Sequence, residues 1–152
     1  MKFLIIFSLV ITQFLTAPFF VQAKEKNVSM QQIKNEVNFK VLVPKRLPKD
    51  LQMNIKPYPP TEYGKPTKFT MTFTKNKQFV FNIQERKSNQ KELDKDVYSY
   101  GQPVSINGNR GYFLTSGHKD GHLLIWIQNG TVIEMDSTLS KEKMLEIAQS
   151  VE

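Results

Sequence analysis

Between residues 69 and 83 the chain alternates apolar and polar side chains with a period of two. Phe69, Met71 and Phe73 are interleaved with Thr70, Thr72 and Thr74. Phe79, Phe81 and Ile83 are interleaved with Gln78, Val80 and Asn82. Neighbouring side chains on a strand point to opposite faces, so this pattern predicts strands with one buried and one wet face and argues against a helix. Lys75-Asn76-Lys77 separates the two runs and predicts a hairpin turn. Antiparallel pairing is the arrangement that leaves one face of a sheet to water.

The pattern returns downstream. Val104-Ser105-Ile106 runs into Asn107-Gly108, and Tyr112-Phe113-Leu114 follows. Residues 123–128, Asn129-Gly130 and residues 131–136 predict a third hairpin. Asn-Gly suits a two-residue type I′ turn, because both central positions need positive φ. That turn sets Gln128 opposite Thr131, Trp126 opposite Ile133 and Leu124 opposite Met135, an apolar face. On the reverse face Ile127 meets Val132, Ile125 meets Glu134 and Leu123 meets Asp136, so that side is partly apolar near the turn. Leu51, Met53 and Ile55 alternate with polar residues and predict a half-buried strand. Phe39-Lys40-Val41-Leu42-Val43 also alternates, until Pro44 stops it. Prolines 57, 59, 60 and 66 predict an irregular, exposed stretch. Residues 88–96 are polar and read as a loop or brief helix, and residues 116–121 as a glycine-flanked loop.

Two helices bracket the strands. Ser29 caps the first, with Gln32 completing a capping box and Val28 and Ile33 at the staple positions, over residues 30–36. Ser140 caps the second, where Met144, Ile147, Ala148 and Val151 follow an i, i+3, i+4, i+7 stripe. The expected fold is α+β: a curved antiparallel β-sheet of about six to seven strands, with N- and C-terminal helices on one apolar face.

The first 23 residues have the anatomy of an export leader. Met1-Lys2 precedes an apolar run to Val21, and Val21-Gln22-Ala23 places small residues at a cleavage site. Thr12, Gln13, Thr16 and Pro18 interrupt the run, which favours a signal peptide cut after Ala23 over the alternative of a retained N-terminal membrane anchor. The remainder, residues 24–152, reads as a single secreted α+β domain, long enough for one core.

Composition narrows the chemistry. The chain contains no cysteine, so disulfides, thiol nucleophiles, thiolate metal sites and a lipid-modified cysteine are excluded. The net charge is +7, and the basic residues are dispersed without a block of five. Such a surface keeps a protein soluble, and it also attracts anionic envelope material. No nucleic-acid recognition motif is present. His118 and His122 flank Asp120 and are the one candidate metal pair, but Gly117 and Gly121 predict a loop and not the helix on which that spacing aligns two ligands. No nucleophile elbow or phosphate-cradling glycine loop occurs, and no two carboxylates among Glu85, Glu92, Asp94, Asp96, Glu134 and Asp136 are marked as partners. The sequence therefore predicts no enzyme, no catalytic residue and no cofactor. Tyr58, Tyr63, Tyr98 and Tyr100 fall in predicted loops and are expected to line a ligand site, together with Trp126 and neighbouring lysines.

Four segments also resemble a known family. They are Phe39…Pro44-Lys45-Arg46-Leu47-Pro48, Ile106-Asn107-Gly108-Asn109-Arg110-Gly111-Tyr112, Leu124-Ile125-Trp126…Gly130, and Leu139-Ser140-Lys141-Glu142…Ile147-Ala148. Together they resemble a small secreted domain of unknown function from Gram-positive bacteria, one that also occurs in lipoproteins and in the outer part of anti-sigma-factor-like membrane proteins. That domain is distantly similar to lipoprotein-carrier-like half-barrels. Where the family pattern has Gly-Tyr after Leu-Pro, this chain has Lys49-Asp50-Leu51. The resemblance implies an extracytoplasmic, non-enzymatic binding or accessory module of the cell envelope. The alternative it implies is a sensory or interaction domain acting on a membrane or anti-sigma-type protein. It implies no catalytic residue.

Overall fold

The computed structural model describes residues 28–87, 100–115 and 120–152. Its elements are helix α1 (Met30–Glu36), strand β1 (Gln52–Tyr58), a single 3₁₀ turn (Thr61–Tyr63), β2 (Lys68–Lys75), β3 (Gln78–Lys87), β4 (Gln102–Ile106), β5 (Asn109–Thr115), β6 (His122–Gln128), β7 (Thr131–Ser137) and helix α2 (Lys141–Ala148). The fold is α+β, with seven antiparallel strands in one open sheet ordered β1-β2-β3-β7-β6-β5-β4. The expected leader, residues 1–23, and the segment 88–96 lie outside the described residues.

Three hairpins are closed by two-residue turns with both central φ angles positive. They are Asn76-Lys77, Asn107-Gly108 and Asn129-Gly130. Such turns twist in the same sense as the strands they join, so each hairpin continues without splaying. The predicted register around Asn129-Gly130 is the observed one, with Gln128 opposite Thr131, Trp126 opposite Ile133 and Leu124 opposite Met135.

One face of the sheet carries the main core. Phe69, Met71, Phe73, Phe81, Ile83, Leu124, Trp126, Ile133 and Met135 are buried there, against Ile33 of α1 and Met144, Ile147 and Ala148 of α2. Ser29 Oγ accepts from the Gln32 amide and Ser140 Oγ from the Lys143 amide, so both predicted caps form. Phe73 and Phe81 stack with ring centroids 4.3 Å apart.

Three local expectations are corrected. Residues 39–43 form no strand. They cross the core face as a strap: Leu42 is buried, Phe39 stacks on Phe69 at 6.0 Å, and Val43 exchanges backbone hydrogen bonds with Glu152. The strap lies on the apolar face of a completed sheet, so its polar groups pair with the C-terminal tail and with side chains below. Pro57 belongs to a strand and not to an irregular stretch. This is possible because β1 is a sheet edge, where a missing N–H breaks no ladder; Pro103 occupies the other edge strand, β4. Phe79 does not share a face with Phe81. Lys75 pairs with Gln78 and Phe73 with Phe81, which leaves Val80 as an extra residue in a bulge. Phe79 is consequently half exposed and Val80 packs on the core.

Gly111 pairs with Trp126, and a Cβ on it would lie 2.9 Å from the Trp126 Cβ and 2.8 Å from the Ile125 carbonyl oxygen. Both obstacles are rigid. Gly111→Ala is expected to destabilise the domain by roughly 1–3 kcal/mol, the usual cost of overpacking. Chemical denaturation of the two forms measures this, and equal midpoints would refute it.

Candidate binding surface

The face of the sheet opposite the helices divides in two. Its half over β5, β6 and β7 is apolar: Tyr112, Ile125 and Val132 are buried, with Leu114 and Ile127 packed beside them. Its half over β1, β2 and β3 is polar. Alternation places Gln52, Asn54, Lys56 and Tyr58 on this side of β1, Lys68, Thr70, Thr72 and Thr74 on β2, and Asn82, Gln84 and Arg86 on β3. Among the described residues no helix side chain joins the cluster on this face.

The register lines up a row across this polar half. Tyr58 lies opposite Lys68, and Lys68 opposite Arg86. Lys68 Nζ sits 5.0 Å from the centroid of the Tyr58 ring, so the ammonium rides on the ring's negative face. Arg86 Nε donates to Glu134 Oε1 at 3.3 Å, and Gln84 Nε2 donates to Glu134 Oε2 at 3.3 Å. The loop after β1 is closed by the Thr67 amide donating to the Tyr58 carbonyl at 2.9 Å, and its 3₁₀ turn by the Tyr63 amide donating to the Pro60 carbonyl at 2.8 Å. These bonds hold two aromatic rings in water at one corner, Tyr58 at 62% and Tyr63 at 78% exposure.

The other expected site residues do not join them. Tyr100 is 88% exposed, but it precedes β4 at the far edge of the sheet. Six strand spacings separate the two edges, on the order of 29 Å. Trp126 is corrected from a surface ligand contact to a core residue: it is fully buried on the helix side, and its Nε1 donates to Gln128 Oε1 at 3.3 Å. Its position opposite Ile133 on the apolar face decides this. Tyr98 lies outside the described residues, as does His118. His122 opens β6 and stacks on Phe113 at 5.2 Å, with its Nδ1 buried and without a hydrogen-bond partner among the described residues. No group of three metal-ligating side chains occurs among the described residues.

One ionisable group lies in the core. Glu85 is not on a wet face or in a loop. It continues the inward series Phe81, Ile83, Glu85 and is fully buried between Phe69 and Ile133. The period of two, extended by one step, is the signal that locates it. Its Oε2 accepts the Leu42 amide of the strap at 3.1 Å, while Oε1 has no partner among the described residues. Burial pushes its pKa up to about 8, against a smaller downward pull from the Leu42 hydrogen bond. Glu85 therefore stays protonated at neutral pH and acts as a strap anchor, not as a charged ligand group.

Because the folded form binds this proton more tightly than the unfolded chain, its contribution is complete below the unfolded value near 4.5 and is lost as pH rises through about 8. Unfolding free energy is expected to fall by on the order of a few kcal/mol between pH 5 and 9. Glu85→Gln, which keeps an acceptor for Leu42 and cannot ionise, is expected to flatten that slope. An unchanged slope in urea titrations of the variant would exclude Glu85 as its source. Asp50, whose carboxyl Lys75 holds below its usual range, is ionised throughout this window and does not contribute.

Among the described residues no helix is long and apolar enough to cross a membrane. No curated protein matches the chain. A crystal structure of a GTP binding regulator from Thermotoga maritima is similar at a TM-score of 0.46 and 10% identity, over 67% of this chain and 77% of that one. A likeness at that level carries no argument about what this chain binds. The family model described as "Domain of unknown function (DUF4367)" matches residues 41–151, from the strap through the last bridge with the C-terminal tail, and the chain belongs to that family.

Proposed function

We propose that this protein is an extracytoplasmic, non-enzymatic binding module of the cell envelope, and that it docks an anionic envelope component through the polar half of its open sheet face. The observation that carries this reading is the Tyr58–Lys68–Arg86 row beside the exposed Tyr63. Aromatic rings and cations held on a rigid sheet offer stacking area and charge without much ordering on binding. The threonines and amides of the same face supply hydrogen-bond donors and acceptors between them. The surplus of basic residues over the whole chain steers anionic surfaces toward it. The leader supports action outside the cytoplasm, and the resemblance to secreted Gram-positive domains points the same way.

Two measurements test the reading. The protein is expected to sediment with phosphatidylglycerol-containing vesicles or purified cell wall at low salt and to be released as salt rises, since exposed charges are screened within about 10 Å at 0.1 M. Replacing Tyr58 and Lys68 by Ala together is expected to weaken retention by roughly tenfold, or 1.4 kcal/mol. Absence of retention at low salt removes the anionic-surface reading. Separately, mass spectrometry of protein from culture supernatant is expected to find an N-terminus at Lys24. Intact protein beginning at Met1 in the soluble lysate would remove the export reading.

A further inference from the structure

We propose a second binding site, for a phosphate group, in the cleft between residues 45–48 and helix α2. It lies on the helix side of the sheet, away from the Tyr58–Lys68 row, and does not depend on the function proposed for that row. The cleft encloses about 470 Å³, with Lys45, Arg46 and Pro48 on one wall and Lys143, Glu146 and Ile147 on the other. A neighbouring depression of about 330 Å³ shares Lys45 and Arg46, so these two cations stand on the ridge between both.

The ridge is built and not incidental. The Lys45 amide donates to the Ser150 carbonyl at 3.0 Å, and the Arg46 amide donates to Ser150 Oγ at 3.2 Å. Pro44 bridges Val151, and Ser150 Oγ donates in turn to the Ile147 carbonyl at 2.7 Å. Hydrogen bonds to Ser150, the Arg46 one spanning 104 residues of sequence, thus fix the Lys-Arg pair beside the helix that carries Lys143.

Charge decides the ligand class. Three cations face two carboxylates: Lys45 pairs with Glu152 at 3.8 Å and Lys143 with Glu146 at 2.7 Å. All four of these side chains are about half exposed or more, and exposed pairs of this kind hold weakly. Arg46 is exposed. A guanidinium fork matches two oxygens of a phosphate, and the third oxygen remains for an ammonium. A phosphate monoester brings three terminal oxygens and nearly two negative charges to these cations, where a carboxylate brings two oxygens and one charge.

The test is an NMR titration of the whole domain at constant ionic strength. Inorganic phosphate and glycerol phosphate are expected to give saturable shifts at the Arg46 and Lys143 amides, with millimolar or tighter affinity. Arg46→Ala is expected to lose at least tenfold in affinity, Arg46→Lys less, both with an unchanged melting temperature because the side chain is exposed. Phosphatidylglycerol vesicles form a separate arm. Vesicle sedimentation that also depends on Arg46 identifies a lipid headgroup as the source, and its absence identifies a soluble phosphoryl compound; either result, with saturable soluble binding, upholds the site. Three results overturn it: no saturable shift with either soluble phosphate, the same shifts with chloride (an adventitious ion only), or full affinity in Arg46→Ala. Tyr58→Ala with Lys68→Ala is expected to leave this titration unchanged, which separates failure here from failure of the sheet-face reading.

Discussion

Pairing of β3 with β7 holds this domain together. Strands β1 to β3 are one meander and β4 to β7 another, and the β3–β7 ladder is the seam between them. Its register sets Phe81, Ile83 and Glu85 against Ser137, Met135 and Ile133 on the helix side. A shift of one residue would turn this whole set toward water, so burial of one face and register of the seam fix each other. The bulge at Val80 is part of the same constraint, since it lets a two-residue turn coexist with the Phe73–Phe81 pair.

The seam also explains how the strap is held. Glu85 ends the inward row of β3 and offers a buried acceptor to the Leu42 amide, while Thr131, at the start of β7, donates from Oγ1 to the Lys40 carbonyl at 2.6 Å. Two partners from adjacent strands thus satisfy backbone groups that an irregular segment over an apolar face would otherwise bury unpaired. A neutral carboxyl serves as acceptor here without the desolvation cost of a buried charge. The strap then delivers Lys45 and Arg46 to the C-terminal tail, so a core contact positions a surface feature.

The two proposed sites fall on different faces for a physical reason. The helix face is filled by apolar side chains, and an open cleft remains on that side at its rim, between residues 45–48 and α2. The opposite face over β1 to β3 is wet and hydrogen-bonding, with exposed rings at the Tyr58 corner and at Phe79 beside the β2–β3 turn. Both edge strands carry a proline, which discourages another chain from adding a strand. Recognition by side chains on a face therefore suits this sheet better than recognition by edge pairing.

Local rules made most of the architecture legible. Alternation gave the strands, paired Asn and Gly gave two of the turns and one full register, and Ser caps gave both helices, because each of these depends on residues within a few positions of one another. The corner bearing Tyr58 and Tyr63 was legible as exposed tyrosines near prolines; that Tyr100 and Trp126 lie apart from it was not. Strand order separates Tyr100 from that corner, and face parity sends Trp126 inward. The fate of residues 39–43 was not legible either: their alternation is that of a strand, and only the tertiary partners Glu85, Thr131 and Glu152 hold them across the apolar face instead. Glu85 and Arg46 acquire their character from partners tens of residues away or more, Leu42 for the one and Ser150 for the other. The amino-acid sequence by itself determined the period, the caps and the turns; tertiary structure alone decided which carboxyl is dry and which cations meet, because burial and charge proximity are set by neighbours in space.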